Sequence, residues 1–147
     1  MERILKEKTS ADHLLYVSMK YTKTCDVILN LISRWEIMID VTFDRLIEEL
    51  VKKKKLPHIP ESPVQKIEYI RNSFKKNPAI QKALETYIFF RRVSKLTKTR
   101  EGEFRKNVNL KVIEQNGTVT DINLEKLKEY AEIMDKFISE AKLFISK

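Results

Sequence analysis

The stretch Leu14–Leu50, LLYVSMKYTKTCDVILNLISRWEIMIDVTFDRLIEEL, contains neither Gly nor Pro. Steps of three and four along it pick out Leu14, Ser18, Tyr21, Cys25, Ile28, Ile32, Trp35, Ile39, Phe43, Leu46 and Leu50. That near-heptad spacing predicts a helix with one stripe buried against other helices. A helix of about 40 residues would run about 60 Å at ~1.5 Å per residue, longer than a domain of this size is wide. Two outcomes are therefore expected. The segment folds back into a hairpin near Ser33–Asp40, or it projects and pairs with a second copy through Tyr21, Ile28, Ile32, Trp35, Ile39 and Phe43.

Ahead of this stretch, Met1–Thr9 is polar and expected to fray, with Ser10 as N-cap and Asp12 suited to the positive helix end. Beyond it, Lys52–Lys55 complements the negative end of the helix, and Pro57, Pro60 and Pro63 stiffen the connection. Ser62-Pro63-Val64-Gln65 reads as a capping box that restarts helix. Asn77-Pro78 ends that helix and opens another, expected to run to about Ser94–Lys98.

Between Val108 and Ile122 the apolar period changes from helical to two. Asn116-Gly117 separates two β-branched runs, which predicts a hairpin that must lay its apolar face on the helices. Asn123 then caps a closing helix whose seam is Leu124, Leu127, Ala131, Met134, Ile138, Ala141 and Ile145. The fold expected is mainly α, a single domain over residues 1–147. It is a bundle of four or five helices with a long N-terminal helix or helical hairpin, and one small β-hairpin before the C-terminal helix.

Composition narrows the function classes. Only two glycines occur in 147 residues, so neither GxxxxGK[ST] nor GxGxxG can be written. The formal charge is +8 in a Lys-rich, Gln-poor balance of thermophile type, which suits nucleic acid or an acidic protein as partner. Cys25, the one cysteine, lies on the apolar stripe and reads as a buried hydrophobe. The N-terminal residues lack a signal-peptide core and no run is apolar enough to span a bilayer, so a cytoplasmic protein is expected.

Catalytic candidates are few. His13 and His58 have no partner at metal-ligand spacing, and Glu36, Asp40, Asp44 and Glu48 read as the solvated flank of the seam. No catalytic residue, metal site or cofactor is assigned, although an enzyme of unrecognised kind stays open.

The sharpest local anomaly is Arg91–Lys111. There Arg91, Arg92, Lys95, Lys98, Arg100, Arg105, Lys106 and Lys111 face only Glu101 and Glu103, so the segment holds +6 of the chain's +8. Phe89, Phe90 and Phe104 interleave with these charges. RNA or DNA contact through Arg91, Arg92, Lys95, Lys98, Arg100, Arg105 and Lys106 is one reading, with aromatics stacking on bases. A solvated loop whose phenylalanines turn into the core is another, and a dock for an acidic protein a third.

Residues 10–28, SADHLLYVSMKYTKTCDVI, and 100–112, REGEFRKNVNLKV, resemble an archaeal family of small helical proteins of uncharacterised function. That resemblance implies archaeal origin and no catalytic motif. The long helical pattern with arginines ahead of the last helix is also similar to the HEPN superfamily of nucleases and toxin–antitoxin components. Its nucleases use an Arg and a His with four to six residues between them. After Arg100 those positions hold Arg105, Lys106 and Asn107, and after Arg105 they hold Leu110, Lys111 and Val112, so the resemblance implies a bundle without that active site. Three functions are carried forward: a non-enzymatic module that self-associates as a homodimer through its seam, a nucleic-acid-binding protein, and, as the second resemblance implies, a HEPN-like toxin–antitoxin or RNA-processing component lacking the catalytic motif.

Overall fold

The computed structural model describes all 147 residues. The N-terminal segment is a continuous rod of α1 (Glu2–His13), a π-helical turn (Leu14–Ser18) and a final turn, α2 (Met19–Tyr21). Ile4, Ala11, Leu15 and Met19 are buried along its inner side. The start expected to fray is thus held by packing. Ser10 sits inside the helix and is not its cap.

The break in the long pattern falls at Thr22–Thr24, well before Ser33–Asp40. Two β-branched threonines flank it, and Thr24 is extended with its hydroxyl accepting the Val27 N–H at 3.3 Å. A strong N-cap with Asp26 in the first turn restarts helix there. The four-residue step from Tyr21 to Cys25 carries the apolar rhythm across the break, and so hides it.

The axis of the fold is α3 (Cys25–Lys52). It ends in a Schellman turn: Lys54 takes φ 59°, its N–H donates to the Val51 carbonyl, and the Lys55 N–H donates to Leu50. Its seam is consumed inside the chain. Trp35 stacks on Phe90 at 6.1 Å and meets Tyr130 edge-on, while Phe43 packs edge-on against Tyr87 at 5.2 Å and Phe137 at 5.5 Å.

Those partners lie on α5 (Pro78–Val93) and α6 (Leu124–Ser146), and α4 (Pro63–Ser73) completes the bundle. Ser62, Asn77 and Asn123 cap α4, α5 and α6 by accepting the N–H three residues on. Gln65 reaches back one residue further than a standard capping box, accepting from Glu61 N–H at 2.7 Å. Counting the rod as one, the bundle has five helices.

The expected hairpin is present but belongs to a three-stranded antiparallel sheet, ordered β1 (Thr97–Glu101), β2 (Asn109–Ile113), β3 (Val119–Asn123). Asn116-Gly117 makes the β2–β3 turn, with Gly117 at φ 87°. The extra strand replaces the expected helix end and loop, because α5 stops at Val93. Val108, Leu110, Val112 and Ile122 bury the sheet's inner face. No helix is long and apolar enough to cross a membrane.

Candidate nucleic-acid interface

Strand pairing decides what the basic segment can do. Directly opposed residues share a face of the sheet, and Lys98 and Arg100 oppose the buried Val112 and Leu110. Both cations therefore clamp β1 to helix ends. Lys98 Nζ donates to the Val93 and Leu96 carbonyls, each at 2.9 Å, closing the C-terminus of α5. Arg100 pairs with Asp26 at 2.8 Å in the first turn of α3. Arg92 pairs with Glu114 at 2.7 Å, and Lys111 with Glu101 at 3.6 Å.

Arg91 leans over the Tyr87 ring at 5.7 Å, beside a polar cluster that spans three helices. In it Lys66 bridges Asp40 and Asp44, both at 2.6 Å, and the Tyr87 hydroxyl donates to Asp40 at 2.7 Å. Burial works against ionised Asp40, but Lys66 and Tyr87 outweigh it and hold the carboxyl below the usual range. Burial and Asp40 push the Tyr87 hydroxyl well up, and burial raises Glu36. With Lys66 and Tyr87 both turned onto Asp40, this cluster pins α4 and α5 to α3.

Of the seven cations proposed as nucleic-acid contacts, Lys95, Arg105 and Lys106 are exposed and make no ion pair or side-chain hydrogen bond. Arg105 and Lys106 lie in the β1–β2 connection, which docks on the N-terminus of α3. The Glu103 carboxylate accepts the Cys25 N–H at 3.2 and 3.4 Å, and the Phe104 N–H donates to the Lys23 carbonyl at 2.7 Å. A carboxylate at a helix N-terminus is favourable for both the orphan N–H and the dipole. Gly102 is required: at φ 63° a Cβ would stand 2.7 Å from the Asn107 carbonyl oxygen. Cys25 beneath this loop donates its thiol to the Asn109 carbonyl at 3.3 Å, and burial, then Glu103, push its pKa up to about 11.

The three phenylalanines of the basic segment part company. Phe90 is in the core and Phe89 half-buried, but Phe104 is 76% exposed at φ 65°. A bulky residue in the left-handed region is held there by its surroundings, here backbone and carboxylate anchors on both sides. Tyr21, expected in the seam, is 77% exposed at the end of the rod, two residues from the Lys23 carbonyl that anchors Phe104. The other five expected seam residues, Ile28, Ile32, Trp35, Ile39 and Phe43, are buried in this chain's own core. Lys20 lies 5.8 Å over the Tyr21 ring, and Lys23 Nζ donates to the Lys20 carbonyl at 2.7 Å.

No family model, curated protein or solved structure matches this chain. The Phe104–Lys23 hydrogen bond brings the connection that carries Arg105 and Lys106 against the segment that carries Lys20, Tyr21 and Lys23. The pairing of residues some 80 positions apart was hidden in sequence because β1 was not foreseen. The EFRK run at Glu103–Lys106 was the one available signal: an aromatic beside cations in a glycine-bounded loop.

Proposed function

We propose that the protein binds single-stranded nucleic acid through the corner formed by Phe104, Arg105, Lys106, Tyr21, Lys20 and Lys23. The observation that carries this reading is Phe104, an aromatic ring anchored through its own backbone yet presented to solvent, with Arg105 and Lys106 following it. A base stacks on either face of such a ring without regard to sequence, while lysine and arginine meet the phosphates. A duplex keeps its bases stacked inside and has less to offer two exposed rings. The seam that motivated self-association is occupied within one chain, so that reading now needs another surface.

The test is fluorescence anisotropy of labelled RNA and DNA oligonucleotides across a salt series. Single strands are expected to bind in the micromolar range, with affinity falling steeply as salt rises because counterions are released. Arg105→Gln with Lys106→Gln is expected to weaken all sequences alike and flatten the salt slope by ~0.7 per lost phosphate contact. Equal binding of wild type and this double variant would overturn the assignment.

A homodimer is the second reading, favoured by Tyr16 and Val17, 60% and 41% exposed on the outer side of the rod. It predicts a concentration-dependent dimer by light scattering that Tyr16→Ser with Val17→Ser abolishes. A wild-type chain that stays monomeric at high micromolar concentration would refute it.

A further inference from the structure

The opposite end of α3 carries a second concentration of charge. Lys55 and Lys147 line a cleft of about 530 Å³ whose walls include Leu56, Phe74 and Phe144. Lys53 Nζ stands 4.3 Å over the Phe144 ring, and Lys75 and Lys76 lie between Phe74 and Asn77, both of which line the cleft. With Lys52 and Lys54, seven lysines gather here, and none forms a salt bridge, whereas Lys8, Lys66, Lys82, Lys111 and Lys126 elsewhere do.

The ordinary reason for lysines at such a place is the helix dipole. The C-termini of α3, α4 and α6 converge on this end, and each is worth roughly half a negative charge. Three C-termini, less the N-terminus of α5 that Asn77 caps at the same cleft, together with Glu140 offset roughly two lysines, and the remainder is uncompensated positive charge. Exposed apolar material here is thin, Leu143 being the large side chain at the cleft that faces solvent. That favours a polyanion over a bilayer, into which a protein inserts apolar groups.

We infer that this lysine end is a second nucleic-acid contact, so that one chain bridges two strand segments. The inference rests on the single-strand reading of the Phe104 corner and adds to it the geometry of the partner. The 28 residues of α3 separate the two ends by about 40 Å at ~1.5 Å per residue. The flank between them carries Glu36, Asp40, Asp44 and Glu48, four carboxylates that Lys66, Arg45 and Arg91 offset in part. A strand laid along that flank meets carboxylates, so two separate segments at the two ends are preferred to one continuous path.

The experiment is native mass spectrometry of the full chain with an oligothymidylate of about six nucleotides, within the ~4–16 that such sites occupy. A two-colour pull-down with differently tagged oligonucleotides runs beside it. Wild type is expected to carry two oligonucleotides per chain and to link the two colours. Lys53→Gln, Lys55→Gln, Lys75→Gln and Lys76→Gln combined should leave one, and Phe104→Gly, Arg105→Gln and Lys106→Gln combined should also leave one. A single oligonucleotide on wild type, lost only in the Phe104 set, overturns the second contact and keeps the first. One lost only in the lysine set overturns the corner assignment, and bridging with it. Binding to anionic vesicles through the lysine end, with no oligonucleotide there, assigns that surface to lipid and refutes the inference.

Discussion

Replacing Phe104 separates backbone strain from ring contact, because alanine and glycine respond to φ in opposite ways. At ordinary negative φ, alanine in a loop is more stable than glycine by ~0.4–1 kcal/mol, since it narrows the unfolded ensemble. At φ 65° the left-handed conformation costs a residue with a Cβ about 1–2 kcal/mol. The order should invert, with Phe104→Gly more stable than Phe104→Ala by about 1 kcal/mol. Relative to wild type, about a quarter of the residue is covered, since it is 76% exposed. A quarter of ~200 Å² at ~25 cal/mol per Å² is about 1.2 kcal/mol of lost burial. Relief of the left-handed strain, less the ~0.5–1 kcal/mol entropy cost of glycine, offsets much of that. Phe104→Gly should therefore match wild-type stability within about 1 kcal/mol, a change of at most ~2–4 °C in Tm. Both variants lose the ring, and each should bind single strands ~5–150-fold more weakly, the ~1–3 kcal/mol of one stacked base. Urea melts and anisotropy titrations on the same preparations read the two effects. Alanine equal to or above glycine in stability would refute the anchored left-handed loop. Unchanged binding in both would refute the stacking role.

Residues of one apolar stripe should differ sharply in cost. Phe43→Ala should destabilise by about 3–5 kcal/mol, whereas Tyr21→Ala should change stability by less than about 0.5 kcal/mol, both measured by urea unfolding. Lys66→Met keeps the stem packing but removes the cation from Asp40 and Asp44, whose side chains are 45% and 58% exposed, so solvent screening limits the cost to about 1 kcal/mol at pH 7. Asp40 is depressed in the folded state, so its stabilisation is full above the unfolded carboxylate value of about 3.9 and is lost as pH falls through the folded one. The difference between wild type and Lys66→Met should accordingly shrink on acidification, and a gap that persists at pH 2 would contradict it. Cys25, raised to about 11 and buried, should resist thiol reagents at pH 8 in the folded chain and react on unfolding, as a mass shift would record.

Helices α4 to α6, their caps and the β2–β3 turn were legible because each is encoded locally. Ser62, Asn77 and Asn123 cap through their own side chains three residues on, and Asn116-Gly117 shapes a turn by its own φ preference. The apolar stripe of α3 was legible by its period, and Cys25 as a buried hydrophobe by its place on that stripe. Local rules could not reveal β1. Thr97–Glu101 has no buried alternation of its own and becomes a strand through pairing with β2. Nor could they tell that the N-terminal residues pack, since the rod's small apolar face is worth burying only against the already formed bundle. The sign of each charged residue was known from the start, but its availability was not. Lys98, Arg100 and Arg92 are drawn to carbonyls and carboxylates that the fold delivers, and Arg105 and Lys106 are left free. Sequence alone determined which segments prefer helix, which face of each is apolar and how much charge the chain carries, because those depend on neighbours three or four residues away. Tertiary structure alone decided that Phe104 stands out while Phe90 goes in, because that outcome depends on partners 40 to about 80 residues distant, Trp35 and Tyr130 for Phe90 and Lys23 for Phe104, beyond the reach of any local period.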